Sequence, residues 1–389
     1  MRSGTFSLPA IERIVYGRPA ADALRDEVDR IGARRVFMIV SGTMNRDTRE
    51  VENVCDALGD RCAGIYDRIN PHIPLDAVLD AASAARAVDA DLIVTFGGGS
   101  VTGAGKIVQL CVRHHIHDAH RLAKFRVVVN ADGSQSTPQF EGPIVRQIAI
   151  PTTLSGGEYN AQGGCLDTVK KVKYTFRNPL LVPRVTILDP APTLHVPLWV
   201  WLSTGVRAID HATEGICSLQ AGPLSDASFV QALTMLGDGL RRVKRDPGDL
   251  DARLDCQMGA WLSIAGRQGG VQMGASHAIG HALGGICHVP HGYTSCVMLP
   301  HVLRYNSKVN TDRQRIVAAA LGHPGDDAAE VMSGFIEELG LPLRLSEVGV
   351  RSEQFGMIAD RAFHDAWLHT NPRKIASRGQ VIEILRMAE

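Results

Sequence analysis

No run of about 18 uninterrupted apolar residues, the length a helix needs to cross a bilayer, occurs in the chain, so no membrane span is expected. The opening stretch, MRSGTFSLPAIERIVYG, lacks the long apolar core of a secretory signal, and a cytoplasmic location is the expectation. Charge of one sign is also missing. The 41 Lys and Arg residues balance 41 Asp and Glu, which leaves no electrostatic footprint for nucleic acid or an anionic membrane surface. The partner expected instead is a small molecule. Eight cysteines are scattered without a CxxC pair among them. That excludes the usual cysteine zinc and thioredoxin-like motifs and points to free, mostly buried thiols in a reducing compartment.

What is present falls into two halves. At 389 residues the chain is long for one hydrophobic core, and two domains are expected. RRVFMIVS, DLIVTFGGGS, VRQIAIPTT and RVTILDP read as strands with near-continuous apolar runs. DTREVENVCDALGD and PLDAVLDAASAARAVDA between them read as helices. That alternation predicts a parallel sheet covered on both faces. From residue 191 onward strand signals are few, and DASFVQALTMLGDGLRRV, DARLDCQMGAWLSIAG and DAAEVMSGFIEELG read as helices. The expected division is an α/β domain over 1–190, with an insertion at about 114–143, and an all-helical domain over 191–389. The insertion, HHIHDAHRLAKFRVVVNADGSQSTPQFEGP, reads as a solvated surface segment with a short hairpin around ADGS. Its histidines have no metal-ligand spacing.

FGGGSVTGAGK, residues 96–106, leaves a strand and enters a helix. Gly97, Gly98 and Gly99 allow close backbone approach, Ser100 can cap the helix, and unpaired N–H groups at the helix start suit a pyrophosphate. A P-loop does not fit, because position 100 is Ser and Lys106 is followed by Ile107. The competing reading is a tight turn without ligand. Farther on, SHAIGHALGGICHVPHG holds four histidines. His277 and His281, four apart, share a helix face, and Arg207 and His211 in STGVRAIDHATEG have the same spacing. Arg207, His211, His277 and His291 could converge on one point. With an acid at 207 they would form a three-histidine, one-carboxylate divalent metal site.

Taken in order, FGGGSVTGAGK, IPTTLSGGE, LDP, GVRAIDHATEG and SHAIGHALGGICHVPHGYTSCVMLPHVLRYN resemble the iron-containing alcohol dehydrogenase superfamily. NPHIPLDAVLDAASAARAVDADLIVTFGGGSVTGAGK resembles its maleylacetate reductase branch. The resemblance implies a Rossmann-like parallel-sheet domain followed by an all-helical domain, the dehydroquinate synthase-like architecture, and a homodimer. It implies an NAD(P)-dependent oxidoreductase acting on a CH–OH/C=O pair or an activated C=C. On this likeness Gly98, Gly99 and Ser100 resemble the pyrophosphate loop, Thr152 and Thr153 the pair beside the cofactor, and Lys173 a lysine near the nicotinamide ribose. His211, His277 and His291 match the metal histidines, and His281 a histidine close to substrate. The position that favours NAD in some members corresponds to Gly42, which carries no anion, and Arg46 is near. NADPH is therefore permitted and NADH remains open.

Arg207 departs from the family pattern, which has Asp there in metal-dependent members and Asn in the metal-free branch. Guanidinium keeps its proton and cannot coordinate. Two unit charges about 4 Å apart interact by roughly 4 kcal/mol at an effective dielectric of about 20, so a cation among these histidines meets repulsion. Asp210 lies about 100° around the helix from His211. It is a poor replacement ligand, and its i, i+3 spacing suits a pair with Arg207. The expectation is a metal-free site in which Arg207 binds a carboxylate or steadies a developing oxyanion, with His281 or His291 as proton donor. The alternative is iron or zinc on His211, His277 and His291. A purely structural role for Arg207 would be an ion pair with Asp210 or Glu214. His288 is expected to pack or to stand behind the site rather than to do chemistry, and His301 to be structural. Two readings of another class are a sugar-phosphate cyclase-like lyase, whose ligand pattern is missing, and a non-catalytic nucleotide-binding homologue.

Overall fold

The computed structural model describes residues 8–129 and 135–389. Apart from the undescribed leading residues, they form two compact units, Leu8–Val196 and Pro197–Glu389. The change of unit follows the LDP turn, which is tied to the start of the first helix. Asp189 accepts hydrogen bonds from the backbone N–H groups of Ala20 and Ala191 at 2.7 and 2.9 Å.

The first unit runs β1 (Arg13–Tyr16), α1 (Ala20–Ile31), β2 (Val36–Val40), α2 (Gly42–Asp47), α3 (Glu50–Leu58), β3 (Cys62–Tyr66), α4 (Leu75–Ala87), β4 (Leu92–Gly97), α5 (Gly99–Arg113) and α6 (Ala119–Ala123). It continues through β5 (Val128–Val129), β6 (Gln135–Ser136), β7 (Arg146–Pro151), β8 (Gln162–Asp167), β9 (Val172–Arg177) and β10 (Val185–Leu188). Six strands make one sheet in the order β1-β10-β7-β4-β2-β3, every pair parallel. Every residue of β2 and β4 is buried, the pattern of strands covered on both faces. The sheet separates two apolar clusters, one around Ile39, Ile93 and Val108 and the other around Leu24, Met38 and Val94. β8 and β9 form a separate antiparallel pair.

The segment from residue 114 to 143 is less solvated than its composition suggests. Ile116 and Leu122 are fully buried in the first cluster. The rings of Phe125 and Phe140 meet edge-on at 5.4 Å, with His114 packed on Phe125 at 4.7 Å. Apolar residues at 116, 122, 125 and 140 therefore dock the segment on the domain. β5 and β6 pair antiparallel, and the ADGS stretch expected to turn between them lies outside the described residues.

The second unit is helical: α7 (Leu198–Cys217), α8 (Pro223–Arg245), α9 (Leu250–Ala265), α10 (Ala275–Ile286), α11 (His291–Ala320), α12 (Ala328–Glu338), α13 (Phe355–Phe363) and α14 (Arg378–Met387). Asp249 and Asp327 cap α9 and α12 through their carboxylates, the usual way of satisfying free N–H groups at a helix start. α10 packs its apolar face into a cluster with Val297, Met298, Ile358 and Ile384. Almost the whole of α7 from Trp201 is buried, including Arg207, Asp210, His211 and Glu214. Among the described residues no helix is long and apolar enough to cross a membrane.

Candidate functional site

In the sheet unit the candidate residues gather at the C-terminal end of β4. Gly97 has φ +156 and Gly98 is the N-cap of α5. A Cβ on Gly98 would lie 3.2 Å from Thr153 Cγ2, and one on Gly99 would lie 2.7 Å from Ser155 Oγ. The backbone there is thus open only to residues without side chains. Thr152 N–H donates to the Gly97 carbonyl at 3.0 Å and Ser41 N–H to the Phe96 carbonyl at 2.9 Å. These bonds hold the β7 and β2 turns beside the glycines. Gly42 starts α2, where a Cβ would meet the Asp67 carbonyl oxygen at 2.7 Å. Asp67 also accepts a hydrogen bond from Asn45 at 2.9 Å, so a carboxylate that the local sequence around Gly42 does not contain reaches this turn from the end of β3. Ser100 lies within the first turn of α5 and makes no capping bond. The cap falls to Gly98, whose extended backbone serves without a side chain. Lys173 sits on another element, exposed on β9 opposite Leu166. Lys106 is fully buried and donates to the carbonyls of Gly157, Asn160 and Gln162. It therefore braces the loop after β7 and offers nothing to a phosphate.

In the helical unit, one hydrogen-bonded network joins α7, α10 and α11. Arg207 is 3% exposed. Its Nη1 donates to Ser295 Oγ at 3.1 Å, and Ser295 donates in turn to Asp210 at 2.6 Å. Ser276 donates to the same Asp210 oxygen at 2.8 Å. The expected direct pair between Arg207 and Asp210 is therefore replaced by a serine relay. Glu214 serves the start of α10, accepting from the N–H groups of Gly274 and Ser276, both at 2.8 Å, and from His277 Nδ1 at 2.8 Å. Its carboxylate lies where the free donors and positive end of the helix favour an anion. α10 passes close over the guanidinium, because a Cβ on Gly280 would lie 3.6 Å from Arg207 Nη1.

The imidazoles form two pairs. His211 and His277 are buried with ring centroids 4.7 Å apart, and His211 Nδ1 and His277 Nε2 have no hydrogen-bond partner. His281 and His291 are exposed and stack nearly parallel at 6.2 Å. Trp367 touches both pairs, with its ring 5.7 Å from His277 and 5.2 Å from His281. His281 Nδ1 is hydrogen-bonded to Asp365 at 2.8 Å, and the other Asp365 oxygen accepts from Trp367 N–H at 2.9 Å. Arg267 lies against the Trp367 ring, its carbon 5.1 Å from the centroid and its Nε without a partner.

Burial, and then the nearby Arg207, hold His211 and His277 well below the usual imidazole range, so both are neutral. Burial pushes Asp210 up to about 6 and Glu214 up to about 8, with mutual repulsion adding to the rise in Glu214. Arg207 is lowered by burial, and Arg267 is lowered to about 10 by burial and then by Arg207. Both guanidinium groups stay charged at neutral pH, whereas the rise at Glu214 leaves the two adjoining carboxylates short of two full negative charges. The cluster carries an excess of positive charge.

Two family descriptions match the chain, iron-containing alcohol dehydrogenase over residues 11–190 and the C-terminal part of the same family over residues 201–389. The chain belongs to the iron-containing alcohol dehydrogenase family. It is an oxidoreductase of a nicotinamide-dependent family. Maleylacetate reductase 1 of Cupriavidus pinatubonensis is 31% identical over 94% of this chain and 92% of its own length. The dehydrogenase ALT3 of Alternaria alternata is 32% identical over 92% of this chain and 100% of its own. The crystal structure of maleylacetate reductase from a Rhizobium strain superposes with a TM-score of 0.83 at 28% identity, covering 100% of this chain and 98% of that one.

His211, His277 and His291 are the alternative ligand set that the family resemblance implies. Among the described residues, the group of His, Cys, Asp and Glu whose ligand atoms lie within 4.8 Å of one another is Asp210, Glu214 and His277. His277 belongs to that group, His211 packs against it with ring centroids 4.7 Å apart, and His291 starts α11 stacked on His281. Of the two roles expected for His288, packing does not fit, because the residue is exposed with a left-handed backbone, φ +55. His301 is half-buried against the Leu343 carbonyl at 3.4 Å. Sequence reasoning missed Arg267, Asp365, Trp367 and Ser295. Only Ser295 lies inside a motif already singled out, and the other three reach the cluster from segments with no chemical signature.

Proposed function

We propose that this chain is an NAD(P)H-dependent reductase of a small anionic oxo acid, resembling maleylacetate, and that it works without a bound metal. The observation that carries the reading is the buried Arg207 guanidinium beside two neutral imidazoles with unpartnered nitrogens. The donor set fits a divalent ion poorly. Both Glu214 oxygens are engaged by N–H donors, one Asp210 oxygen takes two serine hydroxyls, and a fixed cation stands next to the imidazoles. The same arrangement suits an anion or a carbonyl oxygen gaining negative charge, because Arg207 and Arg267 supply charge that no carboxylate within 4 Å neutralises among the described residues.

The glycine turn fits a dinucleotide, since Gly98 and Gly99 leave the room that a Cβ would fill at the start of a fifteen-residue helix. Gly98, Gly99, Thr152 and Thr153 would hold the pyrophosphate side, with Ser100, Gly42 and Lys173 assigned to the same cofactor. When bound, the reduced nicotinamide supplies a hydride. Arg207 anchors the carboxylate or steadies the oxyanion, and Arg267 adds a second positive group for a dianionic substrate. His277 donates Nδ1–H to Glu214, which leaves Nε2 to accept a substrate hydroxyl proton. His281, oriented by Asp365, delivers the proton, with His291 stacked on it.

The unpartnered nitrogens of His211 and His277 also favour a second reading, a metal-dependent alcohol dehydrogenase in which the two imidazoles bind iron or zinc. Elemental analysis of the purified protein, with rates of NADH and NADPH oxidation on oxo acids and neutral aldehydes before and after chelation, separates the two. The proposal expects no stoichiometric metal, turnover of oxo acids and no effect of chelator. Stoichiometric metal, with activity lost on chelation and restored by iron or zinc, overturns it.

A further inference from the structure

Outside the site just described, three sulfur atoms meet on one flank of the sheet unit. Cys55 lies on α3, and Cys62 is the first residue of β3, the last strand in the sheet order. Between them the chain reverses through Gly59–Arg61, with Gly59 at φ +57. The Cys55 and Cys62 Sγ atoms are 2.7 Å apart, and Cys55 Sγ touches Met38 Sδ at 3.4 Å. Met38 is fully buried in β2, so the Cys55 thiol is backed by a fixed wall. Both cysteines are partly exposed, as is the distant Cys287, whereas Cys111, Cys165, Cys217, Cys256 and Cys296 are buried.

We propose that Cys55 and Cys62 are a redox-modification site that closes to a reversible disulfide when the protein meets a hydroperoxide. The reversed chain has already brought the sulfurs together, so closure requires only a small local adjustment. The thiolate of one cysteine attacks the peroxide O–O bond, forming a sulfenic acid and releasing an alcohol, or water from hydrogen peroxide. The sulfur of the other then attacks the sulfenic sulfur, the S–S bond forms and water leaves. Two thiols and one hydroperoxide thus give one disulfide, one alcohol and one water. Reversal takes two electrons and two protons from a dithiol. The hydrogen bond shared by the two thiols lets the proton of one steady the thiolate of the other, which sets this pair apart from the buried cysteines. Oxidation ties the last turn of α3 to the start of β3.

The test treats the full-length protein with stoichiometric hydrogen peroxide, then measures intact mass and maps peptides under non-reducing conditions. The expected result is a loss of two hydrogen atoms, one cross-linked peptide pair joining Cys55 and Cys62, and full return of both thiols with dithiothreitol. Cys55→Ser and Cys62→Ser proteins should each lack the cross-link and leave the remaining cysteine of the pair as a free thiol, alongside the partly exposed Cys287. Two separately oxidised cysteines, a cross-link involving another cysteine, or no oxidation at 55 and 62 while the remaining thiols react would overturn the proposal. The wild-type map decides the question even if a serine variant folds poorly.

Discussion

A guanidinium at position 207 keeps its proton under burial that would neutralise an imidazole or a carboxylate, so its neighbours adapt to it. His211 and His277 give up their charge, and Asp210 receives the guanidinium's influence through Ser295. Replacing Arg207 by Ala should lower kcat/KM for an oxo acid by about 100-fold, the scale of losing one charge-stabilising donor in a reaction site. Lys at 207 should recover part of that loss, because it restores the charge without the planar fork. Steady-state kinetics check both, and unchanged kcat/KM in the Ala variant would leave Arg207 with a structural role only. A second residue-scale prediction concerns Asp365. Its carboxylate fixes the His281 tautomer while capping Trp367. In Asp365→Asn one amide atom must either drop the cap or present an N–H to His281 Nδ1, and the ring then turns its proton to the other nitrogen. kcat should fall by about 100-fold, the lower range for losing an acid–base group, with KM for NAD(P)H unchanged. An equal rise in the cofactor KM would instead mean the fold had moved.

At the scale of elements, two helix starts carry the argument. The first is α5, whose opening turn is pressed against the loop after β7. A methyl at position 99 would have to share space with Ser155 Oγ, which stands 2.7 Å from that point. Gly99→Ala should raise the Kd for NADPH by about tenfold, equivalent to roughly 1.4 kcal/mol, and adding Ser155→Ala should recover most of it by removing the obstructing hydroxyl. Fluorescence titration of NADPH is the measurement. The second is α10, whose free N–H groups are met by Glu214. Burial and Asp210 raise the Glu214 pKa from 4.5 to about 8 in the folded chain. The folded state therefore binds this proton more tightly than the unfolded chain does. The associated stability is complete below pH 4.5 and is lost as pH rises through about 8. Glu214→Gln should remove that part of the slope of unfolding free energy against pH. It should also cost about 1–3 kcal/mol at every pH, because an amide N–H now faces a backbone donor. Denaturant melts across pH 5–9 test both, and parallel slopes in the two proteins would refute the assignment.

How much of this could be read beforehand depends on whether a residue's partners are near it in sequence. The parallel sheet was legible because β2 and β4 are apolar along their whole length, and the glycine turn because its residues are contiguous. Arg207 with His211, and His277 with His281, stood out by their i, i+4 spacing on two separate helices. The partners that define the chemistry were not legible. Asp365 reaches His281 across 84 residues and Ser295 reaches Arg207 across 88, and neither serine nor aspartate is a signal by itself. The docking of the insertion was not legible because its apolar residues are too widely separated to show a period, although Ile116 and Leu122 are fully buried.

For the whole molecule, the candidate residues divide cleanly between the units. The glycine turn, Thr152, Thr153 and Lys173 lie in Leu8–Val196, and Arg207, His211, His277, His281 and His291 lie in Pro197–Glu389. Each set is supported by its own apolar clusters and by hydrogen bonds within its own unit. Defects should then be separable. Arg207→Ala should bind NADPH with a Kd within about twofold of wild type, since effects at sites without shared partners add to within about 0.5 kcal/mol. Gly99→Ala should likewise leave the oxo-acid inhibition constant unchanged when measured against saturating NADPH. In the double variant, the loss in kcat/KM at limiting NADPH and oxo acid should equal the product of the two single losses. A product that falls short, or a tenfold weaker NADPH affinity in Arg207→Ala alone, would mean that the guanidinium and the nucleotide share a direct interaction. The nicotinamide would then have to be counted among the anions and dipoles that Arg207 serves.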